Sequence, residues 1–268
     1  MKPLRASTWS RAFVVSVVLT VFMSGSCNAM IWHRDAQSSR YHEPEGVMTS
    51  VVSLHYTPLQ VLGGCGVLLN AETVLTAGHA VDGWAVSSIY VRLGDQVRVV
   101  QEIMRHPDTK VDLAVIRLAD SIGPERSLPI AMGALSQGER VWMGGYGISG
   151  PLIENDKNAI AAAAARLNFA SGYRTGRFAS GYNRITHVGS HRNQIVFDAP
   201  GDDSELEEVL PSLFDSGSPV FVQRDGEWRL AGITVTVSNR MSPNYGDRGS
   251  HESVHAAHVW LVKVLADR

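Results

Sequence analysis

The sequence has few cysteines, no excess of either charge and no long apolar segment. Only Cys27 and Cys65 are present among 268 residues. Two thiols are too few for a zinc finger or a disulfide framework, so the fold must depend on burial. Lys and Arg number 24 and Asp and Glu 26, which gives no electrostatic reason to expect nucleic acid or an anionic membrane as a partner. A composition of 44% hydrophobic and 19% charged residues excludes a disordered polyelectrolyte, a collagen-like repeat and a coiled coil.

The N-terminus carries the features of an export signal. Residues 12–23 (AFVVSVVLTVFM) follow basic residues and precede small and polar residues that end at Ala29. Because this run is well below the roughly 20 residues that span a bilayer, residues 1–29 are predicted to be a cleaved signal peptide and the protein to be secreted or periplasmic. An uncleaved N-terminal anchor and lipidation of Cys27 are the alternatives. Cleavage after Ala29 leaves Cys65 as the single cysteine and no stable membrane span.

The rest of the chain shows mostly the period-two pattern of β-strands separated by short turns. Strands are predicted over residues 51–56, 66–69, 73–76, 89–93, 97–103, 111–118, 140–143, 194–197, 219–223 and 228–237. Asp225 and Gly226, between the last two strands, are typical of a tight hairpin turn. Many short strands with regular turns favour an all-β barrel or sandwich. Helical apolar spacing over residues 253–266 predicts an amphipathic C-terminal helix.

Three other segments carry weaker signals. The alanine-rich residues 158–167 form either a short helix or, as we prefer, an inserted loop. The acidic residues 202–208 are interpreted as a solvated loop, although they would also suit a basic substrate or a cation. His251, His255 and His258 have a spacing that can bind zinc on one helical face. We interpret them instead as surface histidines at the start of the helix, and we predict no metal site.

Three polar side chains stand next to apolar strands. Ser216 lies at a bend before a strand (FDSGSPV), His79 ends the segment VLTAGH, and Asp112 opens the segment DLAVIRL. Taken singly, a serine or a histidine in such a place is more often an ordinary turn residue. A carboxylate at the head of an apolar strand, however, is costly to bury without a partner.

In the order His, Asp, Ser, these segments resemble the motifs of the trypsin/chymotrypsin-like serine peptidases. Residues 75–79 (LTAGH) resemble that family's LTAAH, residues 112–115 (DLAV) its DIAL, and residues 214–219 (FDSGSP) its GDSGGP. Each motif is short, but all three in order make a specific signal. The resemblance extends from about residue 51 to the C-terminus.

The resemblance implies an all-β fold: two six-stranded antiparallel β-barrels followed by a C-terminal helix. Residues 30–133 would form the N-terminal barrel half and residues 134–268 the C-terminal half with the helix. It also implies a catalytic triad in which Ser216 is the nucleophile, His79 the general base, and Asp112 the group that orients the imidazole.

The resemblance assigns supporting roles as well. The backbone N–H groups of Phe214 and Ser216 would form the oxyanion hole. Leu210, six residues before Ser216, would lie at the base of the primary substrate pocket, with Val235 and Val237 along it. A leucine at that place argues against cleavage after Lys or Arg and favours an apolar or small residue.

The sequence departs from the family pattern at several positions. Phe214 stands where the family has glycine, and Ala80 replaces the cysteine that normally pairs with Cys65. Val235 replaces the serine that supports the triad aspartate, so Thr234 and Thr236 beside it are the candidate substitutes.

Asp215 raises a separate question. In the family the amine of a cleaved N-terminus pairs with this aspartate, but no matching cleavage motif lies upstream of Val51. We hypothesise that Asp215 is satisfied by the amine of Met30 after signal removal, or by an internal cation.

The sequence therefore predicts an exported serine endopeptidase. It would need no cofactor, act on polypeptide substrates as a monomer, and have no nucleic-acid partner. The alternative is a catalytically impaired relative that acts as a binding protein on the same fold because of Phe214 and its altered loops. An esterase-like acyl hydrolase that uses the same triad is a third possibility.

Overall fold

The computed structural model describes residues 30–34, 47–56, 62–123, 128–153, 174–201 and 207–266. The expected signal peptide, the alanine-rich segment and residues 202–206 of the acidic segment lie outside these residues. The strands are β1 Met30–Trp32, β2 Val51–His55, β3 Leu62–Asn70, β4 Thr73–Ala77, β5 Tyr90–Leu93, β6 Gln96–Arg105, β7 Leu113–Leu118, β8 Arg140–Gly145, β9 Ile148–Pro151, β10 Arg174–Thr175, β11 Ala179–Val188, β12 Arg192–Val196, β13 Val209–Leu210, β14 Pro219–Arg224, β15 Glu227–Val237 and β16 Arg248–Ser253; one helix, α1, spans His258–Ala266.

The first barrel is closed in the order β2-β3-β4-β7-β6-β5, with every pair antiparallel. Strands β4 and β7 are almost wholly buried, because apolar residues, together with Thr73 and Thr76 in β4, occupy both of their faces. Each valine, leucine or isoleucine among them contributes about 1.5–3 kcal/mol on full burial. Leu54, Leu75 and Ile116 are among the fully buried members of this core.

The second barrel is closed in the order β11-β12-β16-β15-β14-β8. Trp142 and Phe221, from the paired strands β8 and β14, are its largest buried side chains, with ring centroids 5.7 Å apart. The hairpin predicted at Asp225 and Gly226 is confirmed, since both residues have positive φ, 54° and 79°, as a two-residue type I′ turn requires. The predicted all-β class, with two six-stranded antiparallel barrels and a C-terminal helix, is confirmed.

A smaller sheet in the order β10-β9-β1-β13 lies beside the second barrel. Its strand β1 is parallel to β9 and antiparallel to β13. The sequence analysis assigned residue 30 onward to the N-terminal half, yet β1 pairs only with strands from later in the chain. The strands of the first barrel begin at Val51.

Several elements differ from the sequence predictions: the strands β1, β9, β10, β11, β13 and β16 were not predicted. Strand β11 was not predicted because its sequence, ASGYNRITHV, has few apolar residues in alternation. The predicted helix begins late, at His258, because residues 248–253 form β16. His251 therefore lies on a strand and shares no helical face with His258. In the described part of the chain, no helix is long and apolar enough to cross a membrane.

Candidate active site

Two paired strands bring His79 and Asp112 together. His79 lies in a short 3-10 helix, Gly78–Val81, directly after β4, and Asp112 directly precedes β7. Because β4 and β7 are antiparallel, with Ala77 opposite Leu113, the end of one strand meets the start of the other. The backbone N–H of Gly78 donates to the Asp112 carbonyl at 3.1 Å and closes this corner.

The three predicted triad residues form a chain of short hydrogen bonds. His79 Nδ1 lies 2.6 Å from Asp112 Oδ2, and His79 Nε2 lies 2.7 Å from Ser216 Oγ. Since an ionised carboxylate only accepts, Nδ1 carries the proton and Nε2 is left to accept from the serine hydroxyl. The His79 backbone N–H also donates to Asp112 Oδ1 at 2.8 Å. The imidazole is thus oriented as a general base towards Ser216.

The environment of Asp112 favours its ionised form. Burial alone would raise its pKa, but the hydrogen bond from the His79 ring, the charge of that ring, the His79 backbone N–H and the charge of Arg192 together lower the pKa below its ordinary value. An ionised Asp112 accepts from Nδ1–H and so fixes the imidazole tautomer in which Nε2 is free to accept.

Ser216 is presented by a tight loop between the two barrels. Its carbonyl accepts from the backbone N–H of Cys65 on β3 at 2.8 Å. The next N–H, that of Gly217, donates to the Thr234 backbone carbonyl on β15 at 2.8 Å. The loop is therefore tied to the first barrel on one side and to the second on the other. These two attachments hold the Ser216 hydroxyl within hydrogen-bond distance of His79.

The backbone orients the predicted oxyanion hole. The Leu213 carbonyl accepts from the Ile148 N–H at 2.9 Å. In a trans peptide the C=O and the following N–H point in opposite directions, so the Phe214 N–H points away from Ile148. Phe214 has a φ of 71°, the left-handed conformation that glycine adopts most readily. Neither the Phe214 nor the Ser216 N–H has an acceptor among the described residues, so both are available to an incoming oxygen.

Asp215 does not have the cationic partner that the sequence analysis expected. It is fully buried, and its carboxylate accepts from the Gly147 N–H at 2.9 Å, the Ser212 N–H at 2.9 Å and the Ser212 hydroxyl at 2.9 Å. Burial raises the pKa of Asp215 to about 6, against the lowering effect of these three donors. Among the described residues no amine or guanidinium pairs with it. Met30 lies buried on β1.

The candidate substrate cleft opens beside Ser216 and has a volume of about 790 Å³. Val235 and Val237, which the resemblance assigned to the substrate pocket, line this cleft. Leu210, expected at its base, does not: it is fully buried on β13 and packs with Ile31 and Phe197. The reason is β1, which pairs with β13 and places Ile31 opposite Leu210.

The sequence analysis offered Thr234 and Thr236 as hydroxyl substitutes behind Asp112. The Thr234 hydroxyl is buried with no hydrogen-bond partner among the described residues. Thr236 lines the cleft and makes no hydrogen bond to Asp112 within the described part of the chain. In the described part of the chain, the Asp112 carboxylate accepts side-chain hydrogen bonds from His79 alone.

Sequence reasoning missed the neighbours that hold these groups. The Cys65 thiol accepts from the Tyr146 N–H at 3.2 Å and donates to the Phe214 carbonyl at 3.3 Å. Glu252 lies behind Asp112, ion-paired with Arg192. The sequence does hold a signal for Glu252, since it is a carboxylate in the polar stretch that forms β16. The helical spacing of the residues that follow hid this strand.

Comparison with family models matches residues 43–166 to the Trypsin family. The matched stretch contains His79 and Asp112 and ends before Ser216. A comparison with curated proteins found no match.

Proposed function

Because the chain belongs to the trypsin/chymotrypsin-like serine peptidase family, we propose that it is an exported endopeptidase with His79, Asp112 and Ser216 as its catalytic triad. The observation that carries the proposal is the continuous hydrogen-bond chain from Asp112 through His79 to Ser216, with contacts of 2.6 and 2.7 Å. The 2.7 Å between His79 Nε2 and Ser216 Oγ is within the range at which a base removes the proton of a serine hydroxyl.

The proposed reaction proceeds through an acyl-enzyme. Ser216 Oγ forms a bond to the scissile carbonyl carbon while its proton passes to His79 Nε2. The proton then moves to the leaving amine as the peptide C–N bond breaks. Water, deprotonated by the same His79, attacks the ester and releases the acid and the free serine. Asp112 stays ionised throughout and stabilises the imidazolium.

The oxyanion that develops in both steps would be held by the Phe214 and Ser216 N–H groups. Loss of one such donor costs about 10²–10³ in rate in comparable enzymes. The orientation set by the Leu213–Ile148 hydrogen bond favours catalysis over the alternative of an impaired binding protein. This orientation supports an oxyanion hole at Phe214 in spite of its side chain.

The cleft favours substrates without a basic side chain at the scissile bond. Among the described residues that line the cleft, Asp112 is the only one with a carboxylate, and that carboxylate is already hydrogen-bonded to His79. Val235, Val237 and Met241 supply apolar surface. We therefore infer a preference for an apolar or small residue, now on the basis of these walls and no longer of Leu210.

Export and the division into halves belong to the same proposal. The pattern of residues 1–29 supports a cleaved signal and a secreted or periplasmic protein. Residues 30–133 and 134–268 are proposed as the two halves of one peptidase domain, with β1 crossing from the first to the side of the second. Polypeptides are the proposed substrates.

A fluorophosphonate probe tests the proposal. The protein starting at Met30 is expected to be labelled at Ser216, and Ser216→Ala is the control that should remain unlabelled. A folded wild type that is never labelled would contradict the enzymatic proposal and favour the binding protein. Cleavage of a peptide library, compared with hydrolysis of simple esters, then distinguishes an endopeptidase from an esterase.

A further inference from the structure

An ion pair lies behind the triad aspartate. Glu252 on β16 and Arg192 on β12 stand directly opposite each other in the second barrel. Arg192 Nε donates to Glu252 Oε1 at 3.0 Å, and Arg192 Nη2 donates to the same oxygen. The Glu252 side chain is fully buried and that of Arg192 is 35% exposed. A buried carboxylate needs such a partner, because an unpaired charge in the interior costs several kcal/mol.

The same Glu252 oxygen reaches the first barrel. The Asp112 backbone N–H donates to Glu252 Oε1 at 3.3 Å, while the Asp112 carbonyl accepts from the Gly78 N–H at 3.1 Å. The backbone of the triad aspartate is therefore held by one barrel through its N–H and by the other through its C=O. Glu252 is a side-chain link between the second barrel and the residue that orients His79.

The pair also stands where other support is missing. Val235 cannot donate to Asp112, and the buried Thr234 hydroxyl does not reach it. The Asp112 carboxylate keeps only the His79 ring and backbone as donors within the described residues. The nearby cation of Arg192 contributes to the lowered pKa of Asp112.

We propose that Glu252 and Arg192 are positioning residues for the catalytic triad: Glu252 fixes the Asp112 backbone, and Arg192 fixes and neutralises Glu252. This inference rests on the proposed function, because it concerns the geometry of that reaction. The two residues do not touch the substrate or the reacting atoms. They act through Asp112, so they should affect turnover and leave substrate binding unchanged.

The first test replaces the pair with apolar residues. Buried ion pairs exchanged for well-packed apolar side chains are often neutral or stabilising, so Arg192→Met/Glu252→Leu is expected to fold. Without the acceptor, Asp112 and His79 lose their alignment, and misplacement by about an ångström costs roughly 10²-fold in rate. We expect kcat to fall about 10- to 100-fold, with KM within about twofold of wild type. Glu252→Gln keeps an oxygen acceptor and should retain kcat within about threefold.

The second test is the pH profile of Glu252→Gln. Arg192 on β12 and Asp112 from the first barrel contact Glu252, His79 lies beyond Asp112, and His251 precedes Glu252 on β16. Burial lowers the pKa of His251 to about 4, so it is neutral over the working range. Removing the carboxylate leaves the Arg192 cation uncompensated and disfavours protonation of His79. The acid limb of kcat/KM should move to lower pH by roughly 0.5–1 unit, and Arg192→Gln/Glu252→Gln should return it towards wild type.

A matched pair elsewhere in the second barrel provides the control. Arg224 and Glu139 form a half-buried ion pair, Nη2 to Oε1 3.1 Å. Arg224→Met/Glu139→Leu should leave both kcat and the acid limb unchanged. A folded Arg192→Met/Glu252→Leu protein with wild-type kcat, or an unmoved acid limb in Glu252→Gln, would overturn the positioning role while wild-type activity stood. A wild type that neither labels nor cleaves would instead overturn the proposed function itself.

Discussion

Gly217 lies so close to Cys65 that a Cβ atom placed on it would be 2.0 Å from the Cys65 carbonyl oxygen. Gly217 follows the nucleophile in the second barrel, and Cys65 is on β3 of the first. The same carbonyl accepts from the Thr76 hydroxyl at 2.6 Å, so it has little room to move. The contact shows how tightly the nucleophile loop is pressed against the opposite barrel. A glycine here is a condition for bringing Ser216 within reach of His79.

Substitution at Gly217 should therefore be far more costly than at a glycine with open surroundings. Gly217→Ala combines a backbone clash with a φ of 89° and should destabilise the protein by about 3 kcal/mol or more. Gly226 has a similar φ of 79°, but nothing lies within 4 Å of its Cβ position, so Gly226→Ala should cost only about 1 kcal/mol. Urea unfolding of both variants measures the difference. Equal losses would mean that the barrels are further apart than described.

The unusual residue at position 214 leads to a second prediction. The φ of 71° at Phe214 costs an L-residue about 1–2 kcal/mol relative to glycine. Phe214→Gly should therefore be more stable than Phe214→Ala by about that amount, since both lose the same ring contacts. Both should still react with a fluorophosphonate, because the Ile148 contact and not the side chain directs the N–H. Loss of labelling in both variants, despite correct folding, would show that the phenyl ring itself supports the site.

Replacing the triad aspartate by its amide should disable the base without disturbing the fold. Asp112→Asn cannot accept the Nδ1 proton in the same way, so His79 adopts the wrong tautomer; in comparable enzymes this lowers kcat about 10⁴-fold. Asp108→Asn is the matched control, since this nearby carboxylate only caps its own loop through the Lys110 N–H. Steady-state kinetics on a cleaved peptide compares the two. A drop of less than about tenfold for Asp112→Asn would contradict the assigned role.

Individual strands were predictable because each depends on a local pattern, whereas the two barrels and the triad were implied by the resemblance of three short motifs to a known family. Alternating apolar residues predicted β2, β4 and β14 close to their observed bounds, and an Asp-Gly turn predicted the hairpin after β14. The residues that make up each of these signals lie within a few positions of one another, so the strand or turn can be predicted from one sequence alone.

The supports of the site were not predictable in the same way. Leu210 was expected in the pocket by counting from Ser216, but its environment is set by pairing with Ile31, far away in sequence. The partners of Asp215 come from residues 147 and 212, and Glu252 reaches Asp112 across 140 positions. The contacts of Leu210 with Ile31, of Asp215 with Gly147 and of Glu252 with Asp112 join segments far apart in the chain, and no local period reports them.

Asp215 makes a contribution of its own to the pH dependence of stability. Its folded pKa is raised from 3.8 to about 6, so the folded state holds its proton more tightly than the unfolded state. The contribution is fully present below about pH 3.8 and is lost as the pH rises to about 6, a change of about 3 kcal/mol. Urea unfolding of wild type and Asp215→Asn tests this. Relative to the variant, the free energy of unfolding of wild type should fall across that pH window, and above it the two should change with pH in parallel. If a freed Met30 amine paired with Asp215, the folded pKa of Asp215 would be depressed and wild type would gain stability with rising pH. The sign of the slope of stability against pH therefore distinguishes a carboxylate held by neutral donors from an ion pair.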